Sequence, residues 1–411
     1  MPAPMKPDEL RRYADAVVLG SIAFKRGDLL VVECGIPERE LALALAESAY
    51  RAGAGGVDFV YEDPDLFAAE VRHGSDQALG AVLPWQAARG RALGTKPVAR
   101  VVIRSNDEQE VVTGLPADRV AEATRNTRAA KTWLARQRAE ARQRYTICVW
   151  PTPDWATRIF GGEAARAQRR LAQDVLSFCR LGPGDPPGHK GWTQHLASLD
   201  RRARRLTKLA LREIEVRDSG VDLRLGLPAT AVWEGGGNAD YWGRKLAMNI
   251  PTEECFVSPD AALTEGTFRC SRPRAIGGRS IEGLAGEFRG GRLVRLQAKR
   301  PAERDWLASY LGSIPNADRL GEIALVDSTS RIGATGRTYY NALLDENAVA
   351  HMAFGYGFEK TRSQPLGRSR QGVNASAVHI DVMIGTDELE ATGVTAGGRR
   401  VPLIRDGLWQ I

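Results

Sequence analysis

The sequence predicts an α/β protein of two domains: an N-terminal α/β layered domain over residues 1–200 and a strand-rich α+β domain over residues 201–411. Three observations lead there. A chain of 411 residues exceeds one ordinary compact domain, since domains run to roughly 100–200 residues. The first half alternates strand-like and helix-like segments, the pattern of a mostly parallel sheet with helices on its faces. From about residue 217 the texture changes to short alternating runs split by glycines.

The elements follow in order. DLLVVECG (28–35) is a short apolar run ending in Gly, ERELALALAESAYRAGA (38–54) an amphipathic helix with a Gly stop, and GVDFVYED (56–63) a second strand, together a βαβ unit. VARVVIRS (98–105) reads as a strand, the charged stretch from Ala121 to Arg144 as a long helix, YTICVWP (145–151) as a strand, and residues 163–181 as a helix. GPGDPPGHKG (182–191) is a loop by its Pro and Gly content. In the second half GVDLRLGLP (220–228), SIEGLAGEFRGGRLVRLQA (280–298) with its Gly-Gly hairpin signal, GEIALVD (321–327) and AVHIDVMIG (377–385) read as strands. The first βα turn, VECGIPERE, lacks the G-x-G-x-x-G spacing, so nothing there points to a nucleotide.

Composition narrows the function classes. With 43% hydrophobic and 26% charged residues the chain is of the ordinary globular kind. No apolar run approaches the roughly 20 residues that span a bilayer, and the N-terminus lacks the apolar segment of a signal peptide, so a cytoplasmic protein without membrane partners is expected. Cysteines at 34, 148, 179, 255 and 270 have no C-x-x-C spacing and read as reduced, mostly buried thiols. The net charge of +7 and the basic runs at 136–144 and 201–212 raise nucleic acid, but both runs have helical spacing of Leu or Ala with Arg on the other face, as solvated amphipathic helices do, and no nucleic-acid motif accompanies them.

The chemistry is concentrated in four stretches of the second half: NIPTEECFVSPD (249–260), LGEIALVD (320–327), DENAVAH (345–351) and VHID (378–381). In each a carboxylate or imidazole interrupts or abuts an apolar run, which is costly unless the group is exposed, paired or bound to a cation. Taken singly, most have plainer accounts: Glu322 as an exposed carboxylate at a strand start, Glu346 as part of a helix N-terminus, His351 as a satisfied core histidine. His379 and Asp381 are the most specific pair, because two residues apart in an extended strand they share one face. Carboxylate and neutral imidazole suit Zn, Mn or Co, and the absence of a cysteine cluster argues against a structural zinc or iron–sulfur site.

In this order, NIPTEECFVSP, GEIALV, YYNALLDENAVAH and VHIDVMIG resemble the signature stretches of the M29 metallopeptidase family, the aminopeptidase T group, and YADAVV, AESAYRAGA, WPTPDWA, GVDLRLGLP and RLGEIALVD extend the likeness over nearly the whole chain. The resemblance implies a cytoplasmic, usually dimeric, two-domain exopeptidase that removes N-terminal residues from peptides with free N-termini, using two divalent cations (Zn, Co or Mn). It implies the metal ligands Glu254, Glu322, Glu346, His351, His379 and Asp381. For the first of these, strand alternation leaves Glu253 and Glu254 on opposite faces, and the family pattern selects Glu254, before an apolar-Phe pair in which Cys255 replaces the usual aliphatic residue. Cys255 is expected to point away from the site as a small hydrophobe.

One position departs from the pattern. The family has a tyrosine seven residues after the DEN-motif histidine, a donor to the tetrahedral intermediate, and here Phe358 stands there, with Tyr356 two residues earlier as the candidate substitute. Losing such a donor costs roughly 3 kcal/mol. The mechanism implied is attack by a water shared between two cations, with Glu322 passing a proton to the leaving amine. An alternative on the same scaffold is a ring-cleaving dioxygenase of the hydroxypyridine type, one ferrous ion held by His351, His379 and Asp381; a further alternative is a catalytically weak metalloprotein. The glycine-rich EGGGNADYWG (234–243) reads as a turn between strands or part of an entrance.

Overall fold

The computed structural model describes residues 3–79, 81–94, 98–105, 114–116, 119–120, 122–123, 144–239, 245–276, 279–363 and 372–411. The expected long helix from Ala121, the basic run over 136–143 and the end of the glycine-rich stretch lie largely outside these residues. The chain divides into two compact units, one of residues 1–194 and 237–251, the other of residues 195–236 and 252–411.

The first unit is built on a parallel sheet of β1 (Leu29–Cys34), β2 (Gly56–Tyr61), β3 (Val98–Ile103) and β4 (Arg144–Cys148) in the order β2-β1-β3-β4. The helix Arg39–Arg51 connects β1 to β2 and buries Leu41, Ala42, Leu45 and Ala49, the stripe its helical spacing predicts. The helix expected at 163–181 spans Ala164–Phe178, its first turn capped by the Glu163 side chain. The segment returning to this unit adds a short ladder of β8 (Asn238–Ala239) with β9 (Lys245–Leu246).

Arg144 corrects one expectation. It ends the basic run that reads as a solvated helical face, yet it opens β4, is fully buried, and pairs with Asp28 at 2.7 Å. The second basic run is corrected in part: the helix Lys190–Lys208 stops before its end, Ala210 takes a left-handed φ of 48°, and Leu211 begins a strand.

The second unit holds two antiparallel sheets. The larger contains β5 (Leu211–Asp218), β6 (Val221–Gly226), β11 (Thr264–Arg269), β14 (Ala285–Arg289), β15 (Arg292–Gln297), β19 (Glu390–Thr395), β20 (Arg400–Arg405) and β21 (Leu408–Trp409), in the order β15-β14-β11-β6-β5-β19-β20-β21. Between them, β12 (Arg274–Ile276) and β13 (Arg279–Ile281) form a small ladder. The smaller sheet has the order β18-β17-β16-β10-β7, from β7 (Glu234–Gly235), β10 (Cys255–Val257), β16 (Leu320–Leu325), β17 (His351–Gly355) and β18 (His379–Met383).

One hydrophobic core joins the two sheets. Cys255, Val257, Ile323, Leu325, Met352, Phe354, Ile380 and Val382 from one face of the five-stranded sheet share it with Ile214, Leu223, Phe268 and Phe288 of the other. Phe354 packs its ring 5.8 Å from both Phe268 and Phe288. Because side chains alternate, burying this set turns every intervening residue of the small sheet to its opposite face.

Candidate metal centre

That opposite face carries the chemistry. Cross-strand pairing sets Glu234, Phe256, Ala324, His351 and Met383 in one row, and Glu322, Ala353 and Asp381 in a neighbouring row, with His379 opposite Gly355. Small residues thus separate the ionisable ones: Ala324 lies beside His351 and Ala353 between Glu322 and Asp381.

A bulge makes the arrangement possible. Leu320 pairs with Phe354 and Glu322 with Ala353, so β16 spends one extra residue, Gly321, against β17. Leu320 therefore enters the core while Glu322, two residues on, faces the opposite way, where strict alternation would have put both on one side. Only Gly fits at 321, because a Cβ there would lie 2.2 Å from the Tyr356 carbonyl oxygen.

The six residues expected from the sequence converge, though not equally closely. Glu254, Glu322 and His351 can each place a ligand atom within 4.8 Å of the others, as can Glu322, His379 and Asp381, so Glu322 is common to both groups. His351 Nε2 lies 3.2 Å from Glu254, and His379 Nε2 lies 3.1 Å from Glu322 and 3.0 Å from Asp381. Glu346 belongs to neither trio; it interacts electrostatically with Asp381, Glu254 and His351. It ends the short helix Ala342–Glu346 rather than beginning one, which removes the helix-N-terminus account of its charge.

The choice between Glu253 and Glu254 has a structural counterpart. Glu253 turns to His195 at 3.4 Å, while Glu254 lies two residues before Phe256 on the ligand face. Cys255 between them sits in the core, and burial pushes its thiol up to about 12.

Neighbours hold the ligands in place. His379 Nδ1 donates to the Tyr356 carbonyl at 2.7 Å, which leaves Nε2 as the nitrogen facing the carboxylates. Tyr356, expected as a hydroxyl donor, also contributes its main chain. Arg274 donates to the Asp381 carbonyl at 2.8 Å. In the DEN triplet, Asp345 accepts from the amides of Tyr339 and Asn341 and from Arg272, while Asn347 accepts from the amide of Glu253 at 2.8 Å, tying the helix to the strand that carries Glu254. Sequence reasoning missed Asn347, Arg272 and Arg274; Asn347 stood inside a quoted motif, whereas the two arginines carried no signal.

The electrostatics are those of a site short of positive charge. Burial raises Glu322, and burial together with Asp381 and Glu254 raises Glu346 well above the usual carboxylate range. Burial opposes protonation of the imidazoles, yet Glu254, Asp381 and Glu322 push His351 up to about 10, and Asp381 and Glu322 hold His379 well above its usual value. Burial opposes ionisation of Asp381 too, but His379 and His351 hold its carboxyl below the usual range. His351 Nδ1 is buried without a hydrogen-bond partner. Four carboxylates, two imidazoles and no thiol form a donor set suited to hard or borderline divalent cations, which would supply the charge that the imidazole protons otherwise provide.

Comparison with known proteins follows this geometry. The family model for thermophilic metalloprotease (M29) matches residues 6–409. The chain belongs to the M29 metalloprotease family. M29 members are hydrolases, and a curated relative, aminopeptidase T of Thermus thermophilus, is 31% identical over 98% of each chain. The solved wild-type AmpT from Thermus thermophilus superposes with a TM-score of 0.88 at 29% identity, covering 98% of this chain and 99% of that one. A 2,5-dihydroxypyridine dioxygenase from Pseudomonas putida shares the fold at a TM-score of 0.52 and 15% identity, covering 97% and 98%.

Proposed function

We propose that this M29 protein is a metal-dependent aminopeptidase that removes N-terminal residues from peptides at a two-cation centre with a shared water. The observation that carries the reading is the pair of ligand trios sharing Glu322 on one sheet face. The named activity of relatives aligned over almost the whole chain supports it.

Glu254, Glu322 and His351 would hold one cation, and Glu322, His379 and Asp381 the other, with Glu346 adding charge beside Asp381 and Glu254. Bound there, Zn, Co or Mn would polarise a scissile carbonyl and bring the pKa of a shared water toward neutrality. Glu322 would also accept a proton and pass it to the departing amine, a role that its burial and its place in both trios support. The Tyr356 carbonyl keeps His379 in the tautomer that offers Nε2. Free buried thiols and the absence, among the described residues, of a helix long and apolar enough to cross a membrane support a cytoplasmic enzyme, and we expect a homodimer.

The test is to chelate the purified protein, restore Zn, Mn, Co or ferrous iron singly, and assay unblocked aminoacyl substrates beside N-acetylated controls. Two equivalents of metal with cleavage confined to free N-termini is the expected result. One equivalent of iron with no peptide cleavage would overturn it in favour of oxygen chemistry at His351, His379 and Asp381.

A further inference from the structure

Peptide hydrolysis places negative charge on a carbonyl oxygen, and a site gains most from a fixed donor aimed where that charge appears. The aromatic side of this site is built, among the described residues, on two phenylalanines. Phe256 follows Glu254 on the ligand face, the Phe358 ring lies 5.5 Å from it, and the Phe358 ring is 5.0 Å from the His379 imidazole. Neither ring can donate. An ammonium stands over both of them: Lys360 Nζ is 4.9 Å from the centre of Phe256 and 5.0 Å from that of Phe358.

The segment carrying Lys360 is pinned. The Phe358 amide donates to Ser258 Oγ at 2.8 Å, Thr361 Oγ1 donates to the Phe358 carbonyl at 2.7 Å, Val232 donates to the Thr361 carbonyl at 2.9 Å, and Arg362 donates to the Ser258 carbonyl at 2.9 Å. The turn Glu359–Thr361 is thereby fastened to the residue that follows β10, the strand entered directly after Glu254. The main chain that carries Lys360 therefore needs no reordering when the side chain engages a ligand.

The charge around it is also specific. Lys360 feels Glu234, Glu322 and Glu254, whereas Asp381 and Glu346 feel Arg274 in addition to the histidines, and the Arg274 Nε is committed to the Asp381 carbonyl. The two cations thus serve different sets of carboxylates. Glu234 shares its row with Phe256 and His351, so a fifth carboxylate reaches the ligand face at the edge strand. Two divalent cations would balance Glu254, Glu322, Glu346 and Asp381, and Glu234 and Lys360 would balance each other. Burial draws Lys360 down to about 8, with Glu234, Glu322 and Glu254 opposing the fall.

We propose that the Lys360 ammonium is a catalytic hydrogen-bond donor of this site, directed at the oxygen on which charge develops as a carbonyl bound at the ligand face is attacked. The assignment rests on the hydrolytic reading above. No bond to Lys360 forms or breaks; it stabilises the oxyanion by charge and by a hydrogen bond. Its position over two rings that line the ligand face distinguishes it from a surface lysine.

The experiment uses the metal-loaded protein with Lys360→Met, Lys360→Arg and, as a comparison, Lys299→Met. Three quantities are read: metal content, kcat and KM on a leucyl substrate, and affinity by calorimetry for the phosphonic acid analogue of leucine, a tetrahedral anion with a free amine, against leucinamide, which has the same amine and an uncharged carboxamide. Lys360→Met is expected to keep its metal, lower kcat by about 10²–10³-fold with KM within about threefold, and weaken the phosphonate far more than leucinamide. Lys360→Arg should recover part of both losses, and Lys299→Met, at an exposed lysine paired with Glu282, should change either by less than about threefold. Retained kcat and phosphonate affinity in Lys360→Met would overturn the proposal, as would parallel loss of phosphonate and leucinamide binding in both Lys360 variants. A wild-type protein that cleaves no peptide, yet binds the phosphonate in a Lys360-dependent way, would remove the aminopeptidase reading and leave the anion-donor assignment standing.

Discussion

The parallel sheet of the first unit and the five-stranded sheet of the second both bury carboxylates, and they treat them in opposite ways. In the first, Glu33 on β1 takes a two-pronged ion pair from Arg100 on β3, at 2.6 and 2.7 Å, and Asp28 pairs with Arg144 at 2.7 Å. Each charge meets a full opposite charge from the chain itself. On the ligand face of the second, Glu254, Glu322, Glu346 and Asp381 meet chiefly two imidazoles. Buried carboxylates in a fold are therefore not alike: where arginine answers them they are structural, and where the chain leaves them short of cations they mark the place where a cation from solution belongs.

The largest effect should come from breaking the shared ligand. Glu322→Gln removes the one carboxylate common to both trios, so metal content should fall below two equivalents and kcat/KM should drop by at least about 10³-fold, the several kcal/mol that a metal centre supplies. Elemental analysis beside kinetics reads both. The matching change in the first unit is Arg100→Met, which leaves Glu33 buried without its partner guanidinium. It should cost about 3–5 kcal/mol in chemical denaturation and leave metal content and kcat of the folded protein unchanged. If Arg100→Met altered metal content, or Glu322→Gln left it intact, the division into structural and functional carboxylates would fail.

How much of this was legible in the sequence follows from range. The strands and helices of the first unit announce themselves through local periodicity, as in DLLVVECG and the helix after it, and the His379–Asp381 pair is a period-two signal inside a single strand. Glu322 was identified by motif, but its orientation depends on the bulge at Gly321, a property of the β16–β17 pairing that no single strand reveals. Arg144 misled because a run of charges reads as an exposed face, and only β1 and β4 brought together show that Asp28 awaits it. Lys360 gave no signal as a site residue, and Glu234 only as the head of a glycine-rich stretch read as a turn or an entrance, for the same reason: one lies on a turn and the other on an edge strand, and each meets Phe256 only in the folded chain.

The smallest expected effect tests the comparison most directly, because it concerns sign rather than size. Burial, Asp381 and Glu254 all disfavour ionised Glu346, so its folded-state pKa lies well above the 4.5 of an ordinary glutamate. In chelated protein this group imposes no penalty below about pH 4.5, where it is protonated in both states, and an increasing one as pH rises toward its folded value. Glu346→Gln should therefore stabilise the metal-free protein at neutral pH, by about 1–2 kcal/mol, and flatten the decline in stability above pH 4.5, while weakening metal binding. Thermal unfolding of chelated wild type and variant across pH measures this. Destabilisation at neutral pH would mean that Glu346 is a structural carboxylate of the Glu33 kind; stabilisation would show a fold that carries an unfavourable charge in order to keep a place for a metal.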